Sequence, residues 1–150
     1  MRLLTGAPVQ TDFVTYTDKD ELWSELRDDD AKGFLMVLST EGFDDSKLND
    51  CGVTTEHALS LLTVFPLYDK DGKVLHKMYM IRDPRGKSRY NRKFNNNDMD
   101  IWNLEFIEQI PFQINPFYAQ KDHIFFVEHN DLSECFDMIT IAHYHYGGNY

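Results

Sequence analysis

His57 and Asp83 lie at opposite ends of a segment that reads as one long antiparallel hairpin. Leu59, Leu61 and Phe65 alternate before Asp69-Lys70-Asp71-Gly72, and Val74, Met78 and Met80 follow it. Alternation on both sides of a Gly-containing turn is the hairpin signature. If residues 70–72 form a three-residue loop, Asp69 faces Lys73 and paired numbers sum to 142. His57 and Asp83 then become same-face diagonal neighbours, roughly 7 Å apart at Cα. A histidine held by a carboxylate is the arrangement of a base with its orienter, because the second group decides which ring nitrogen carries the proton. A satisfied surface pair would use the same residues, and spacing alone leaves both readings open.

Other candidates carry less. Cys51 and Cys135 lack CxxC spacing and are expected as reduced thiols rather than a disulfide or zinc framework. His143 and His145 are one strand repeat apart but lack a nameable third ligand, so zinc is not expected. Asp69-Lys70-Asp71-Gly72 resembles an EF-hand opening, yet Met80 stands where the twelfth-position glutamate belongs, and it reads as a turn. Residues 95–98 read as a solvated loop, and Phe34, Phe65, Tyr79, Phe125 and Phe126 as core.

The elements that must position the pair are legible in part. Asp18 is a helix cap with Glu21 three positions on, Leu22, Trp23 and Leu26 form an apolar face, and Asp28-Asp29-Asp30 is expected to end the helix. Residues 33–40 have strand length and apolarity, and residues 41–50 read as a surface loop. The polar stretch 91–100 reads as a loop, followed by a strand at 123–128, a short helix ending near Phe136 and a last strand at 138–144. The fold class is α+β: mainly antiparallel β-sheet or barrel with two or three short helices.

With 150 residues, 42% of them hydrophobic, the chain is expected to form one domain over 1–150. The net charge of -10, with no basic stripe to offset it, argues against nucleic acid and anionic membrane as partners. No apolar run approaches a membrane span and the N-terminus is too short for a signal peptide, so a soluble, cytoplasmic protein is expected.

The segment Gly52-Val53-Thr54-Thr55-Glu56-His57-Ala58-Leu59-Ser60 resembles the calpain segment in which a glycine, then the catalytic histidine, Ala, Tyr and Ser open a strand. Ile81-Arg82-Asp83-Pro84-Arg85-Gly86 resembles that family's Arg-Asn-Pro-Trp-Gly. Asp122 to Leu132 is similar to its Asp-Gly-Glu, Phe-Trp-Met and Asp-opened helix. Leu4-Thr5-Gly6-Ala7, the helix at Glu21 and the strand at 33–40 keep the order of the family's second catalytic subdomain. The resemblance implies the histidine-bearing half of a calpain-type cysteine protease core, with His57 as base and Asp83 as orienter. Neither cysteine resembles the Gly-Asp-Cys-Trp helix opening that supplies the family's nucleophile in the other half.

Several positions depart from the family. Asp83 replaces asparagine, which adds a negative charge beside His57. Arg85 replaces a tryptophan that shields the orienting bond, and Glu56 replaces the glycine before histidine. The family binds calcium through loop oxygens of this half, but Arg89, Asn96 and Ile124 stand at ligand positions and only Asp122 is kept. Calcium dependence is therefore not expected, and no other cofactor is implied. Two functional readings follow from the resemblance: a non-proteolytic calpain-like module that docks a protein or peptide, or a fragment or subunit of an active endopeptidase completed by a cysteine-bearing half. Either leaves an apolar cleft wall for a partner. A small acidic β-rich binding domain is the reading outside the family.

Overall fold

The computed structural model describes residues 8–42 and 44–143. Leu4-Thr5-Gly6-Ala7 and His145 lie outside them. Six strands form one antiparallel sheet: β1 (Val9–Phe13), β2 (Leu35–Thr40), β3 (His57–Tyr68), β4 (Val74–Arg82), β5 (Ile124–Glu128) and β6 (Met138–Ala142), in the spatial order β1-β6-β2-β3-β4-β5. Four α-helices, α1 (Lys19–Ala31), α2 (Leu104–Ile107), α3 (Pro116–Ala119) and α4 (Leu132–Cys135), complete an α+β fold. That is one helix more than the expected two or three, since residues 104–119 carry two single-turn helices, capped by Asn103 and Asn115, with too few residues to show a periodic face. Strand β1 also gave no sequence signal, because its side chains are mostly exposed and polar at the sheet edge. No described helix is long and apolar enough to cross a membrane.

Helix α1 starts as its sequence indicates, with Asp18 Oδ1 accepting from the N–H groups of Asp20 and Glu21. It does not stop at the three aspartates. It runs to Ala31 and is closed by Gly33 at φ 77°, whose N–H donates to Asp30 O while Phe34 N–H donates to Asp29 O, the left-handed glycine cap that satisfies terminal carbonyls. Asp30 has a tertiary role instead. Strand β2 pairs with β3 only as far as Met36 opposite Leu61, and beyond that point the Asp30 carboxylate accepts from Val64 N–H (3.0 Å) and Thr63 Oγ1 (2.7 Å). Trp23, on the buried face with Leu22 and Leu26, donates its indole N–H to Met78 O at 3.2 Å.

The β3–β4 hairpin has the expected three-residue loop, with Asp69 N–H donating to Lys73 O and the Asp69 side chain accepting from Asp71 and Lys73 N–H. Pairs at the tip and at the open end, Tyr68 with Val74 and Ser60 with Arg82, keep the predicted sum of 142. Between them the register moves by one, from Thr63 opposite Met80 to Leu67 opposite His76. One bulge lies on each strand, at Leu62 and at Leu75, and the two cancel. The bulge at Leu62 inverts the face of the residues after it. Leu59, Leu61 and Val64 pack in one core with Tyr79 and Ile81, whereas Phe65 joins Leu67, Met78 and Met80 on the other side, so the single alternating face expected through Phe65 is corrected. An uncompensated slip would have sent the open-end side chains to opposite faces.

Both faces of the sheet are covered. The first core adds α1, the 51–53 segment and Phe136, and the second adds Phe94, Trp102, Phe106 and Ile110. Residues 95–98 are not wholly solvated: Asn96 is buried and its amide donates to Pro116 O and Ile124 O.

The cysteines are not free. Cys51 and Cys135, both buried, form a disulfide with Cα atoms 5.5 Å apart, which corrects the expectation of reduced thiols. The bridge joins elements 84 positions apart, so their proximity depends on where α4 packs. Asn49 makes the same connection through its side chain, accepting from Cys51 and Val53 N–H and donating to Cys135 O. The tethered segment then pairs with the loop after β4: Arg89 N–H donates to Gly52 O (2.6 Å) and Asn91 N–H to Cys51 O (3.0 Å).

Gly52 has φ 79°, and a Cβ there would lie 2.0 Å from Arg89 O. Gly52→Ala is therefore expected to cost more than about 2 kcal/mol in urea unfolding, and a near-neutral result would mean that this approach is looser than described. The double substitution Cys51→Ser, Cys135→Ser is expected to lower unfolding free energy by about 2–4 kcal/mol, against no difference between the proteins when wild type is unfolded under reducing conditions.

Candidate active site

His57 opens β3 and Asp83 follows the last residue of β4. His57 Nε2 lies 3.0 Å from Asp83 Oδ1, and the two side chains are 10% and 1% exposed. The expected pair is thus assembled and well shielded, although Arg85 stands where the family has tryptophan. Arg85 itself points away and pairs with Asp45.

Three further donors hold Asp83. Arg85 N–H donates to Oδ1 (3.0 Å), Ser88 N–H to Oδ2 (2.9 Å) and Thr54 Oγ1 to Oδ2 (3.3 Å). Burial pushes the carboxyl pKa up, but the hydrogen bonds from Ser88, Arg85 and His57 outweigh it and hold the group at about 2. Asp83 is therefore a carboxylate that can only accept, so the imidazole nitrogen facing it carries the proton. His57 Nδ1 has no hydrogen-bond partner among the described residues. A neutral ring would present its lone pair there.

The support for Asp83 was only partly readable. Asp-Pro-x-Gly is a turn signature in which an Asp side chain bonds the N–H two residues on, as Asp83 does with Arg85. Ser88 continues the same turn. Thr54 carried no local signal, because it arrives from the far side of the hairpin. It is fully buried, donates its N–H to Ser88 Oγ at 3.0 Å, and accepts from Thr40 Oγ1 at its carbonyl at 2.6 Å. Thr40 in turn accepts from His57 N–H at 3.3 Å. Glu56, just before the histidine, has φ 48°, the left-handed region that suits glycine.

The family model described as calpain family cysteine protease matches residues 1–143. The chain belongs to the calpain family. No curated protein matches it. Cys51 is no nucleophile for His57 in this calpain-family fold, since its sulfur is bonded to Cys135 and buried.

The calcium implied by the family does not fit the residues present. Arg89 Nη1 donates to Gly86 O and Ser88 O, and both amide hydrogens of Asn96 are committed to carbonyls. No group of three or more His, Cys, Asp or Glu able to hold a metal is found among the described residues. A hard cation needs six to eight oxygens. Here a guanidinium already occupies two carbonyls of the loop, those of Gly86 and Ser88. Six of the 15 basic residues fall between Arg82 and Lys93, a local concentration that corrects the expectation of no basic stripe. Arg85 answers Asp45, and Lys87 acts electrostatically on both Asp44 and Asp45.

Because the folded pKa of Asp83 lies below its unfolded value of 3.8, the stability it contributes is present above pH 4 and is lost as pH falls through about 2. Asp83→Asn abolishes that titration. Between pH 4 and pH 2, wild type is expected to lose about 2 kcal/mol more than the variant in denaturant unfolding, and equal losses would show that the carboxylate is not held as described.

Proposed function

We propose that this chain is the histidine-bearing half of a calpain-type peptidase core and is not proteolytic by itself. The observation that carries the reading is an oriented base with no free thiol beside it: His57 Nε2 is tied to the Asp83 carboxylate while Nδ1 is left open. The chain's two thiols are consumed in a buried disulfide, so the base has no nucleophile of its own to serve. In this capacity it is a module that docks a protein or peptide. The net charge of -10 disfavours nucleic acid and membrane, and of the basic residues at 82–93 Arg85 and Lys87 are answered by Asp44 and Asp45. Met99, Leu104, Phe112 and Tyr118 are strongly exposed and offer apolar contact area to a protein.

The completeness of the pair favours a second reading. The four donors fix Asp83 so that it presents His57 already oriented for proton transfer. If a cysteine-bearing half supplies a thiol opposite Nδ1, that nitrogen takes the thiol proton to give a thiolate and imidazolium pair. Asp83 then stabilises the imidazolium through Nε2–H and keeps the ring from turning. His57 is the base and Asp83 the orienter under this reading, and Thr54 and Ser88 position Asp83.

The bridge also bears on compartment. Disulfides persist in oxidising environments and are rare in the cytosol, so a cytoplasmic chain would carry Cys51 and Cys135 reduced. The assay is for that reason run with and without reductant.

The pure chain and its His57→Ala variant are incubated with an epoxide-type cysteine-protease probe and with casein, with and without calcium. No labelling and no cleavage are expected in any condition. Cleavage that needs reductant and is lost in the variant would identify an activated thiol on this chain and overturn the non-proteolytic reading.

A further inference from the structure

Beside Asp83 lies a cavity of about 260 Å³ whose lining includes Ser88, Arg89, Asn91, Gln120 and His123, with Asp83 as its one carboxylate. No carboxylate pairs with Arg89 among the described residues. Its Nη1 instead donates to Gly86 O at 2.9 Å and to Ser88 O at 2.8 Å. These two carbonyls belong to the turn that delivers Arg85 N–H and Ser88 N–H to Asp83. Carbonyl oxygens that converge on one point repel one another, and a cation between them removes that cost and forms charge-assisted bonds.

The rest of the turn is fixed from both sides. Gly86 N–H donates to Asp83 O, Arg89 N–H donates to Gly52 O, and Asp83 N–H donates to His123 O. The His123 ring packs so closely on Gly86 that a Cβ would lie 2.5 Å from it. The main chain thus anchors the ends and flank of the turn. Its two converging carbonyls are answered by the guanidinium.

We propose that Arg89 is a positioning residue that stands in for a bound cation: its guanidinium gathers the Gly86 and Ser88 carbonyls, holding the 83–88 turn closed so that Asp83 is presented to His57 without any metal. The proposal deepens the reading of Asp83 as the orienter of His57 and rests on it for functional meaning. The structural link from Arg89 to the Asp83 donors is separate from any activity.

Amide hydrogen exchange on the full chain tests that link. Arg89→Met, which keeps the stem and loses the charge, is expected to raise exchange at Arg85 and Ser88 about tenfold while β3 and β4 amides stay protected. Arg89→Lys is expected to restore most of the protection, as a merely space-filling role for the side chain would not require. Calcium added to about 1 mM is expected to leave the wild-type amide shifts over residues 83–97 unchanged. Unchanged exchange at Arg85 and Ser88 in Arg89→Met, or calcium-dependent shifts in the wild type, would overturn the proposal. Should Arg89→Met not fold, Arg89→Gln is read by the same criterion. Failure of the functional reading, that Asp83 orients His57, would appear as a His57 imidazole NMR signature unchanged by Asp83→Asn and leave the Arg89→Met exchange values untouched.

Discussion

A carboxylate almost wholly withdrawn from water must be answered by donors, or it takes up a proton or leaves the interior. Asp83 is answered by an imidazole, two backbone N–H groups and a hydroxyl. The four donors come from three parts of the chain. The imidazole needs the hairpin to return in register, the N–H groups need the 83–88 turn, and the hydroxyl needs the segment before β3 to lie against the loop after β4. Much of the remaining structure serves to satisfy these conditions together.

The disulfide and Asn49 act at the far end of that chain of support. They fasten residues 49–53 to the end of α4, and that segment then pairs with Arg89 and Asn91. The glycine at 52 allows the two backbones to meet. From there the connection runs through Ser88 and Thr54 to the carboxylate, by hydrogen bonds at every step. Packing in the first core supplies the bulk of the cohesion, while this polar thread fixes orientation, which burial of apolar area alone cannot do.

The same thread explains why departures from the family's residues do not dismantle the pair. Arg85 leaves no tryptophan over the bond, yet Asp83 stays buried because its shielding comes from the threonine and serine side chains and the closed turn. Arg89 and Asn96 carry no negative charge, and each donates to two backbone carbonyls, Gly86 O and Ser88 O for Arg89 and Pro116 O and Ile124 O for Asn96.

Local patterns decided a good deal. Alternation and the Asp69–Gly72 turn determined the hairpin and the pairing sum at both its ends, the Asp18 cap determined where α1 begins, and the hairpin brought His57 and Asp83 to one place. These features depend on neighbours within a few residues, whose steric and hydrogen-bonding preferences are written in side-chain type. The features that only the tertiary structure decided depend on residues distant in sequence. The paired bulges at Leu62 and Leu75 arise from packing two cores on opposite faces. The Gly33 cap that ends α1 is local, but the bond from Val64 N–H to the Asp30 carboxylate is not. The Cys51–Cys135 bond and the arrival of Thr54 at Asp83 arise from which loops meet across 84 and 29 positions, a relation that no local preference encodes.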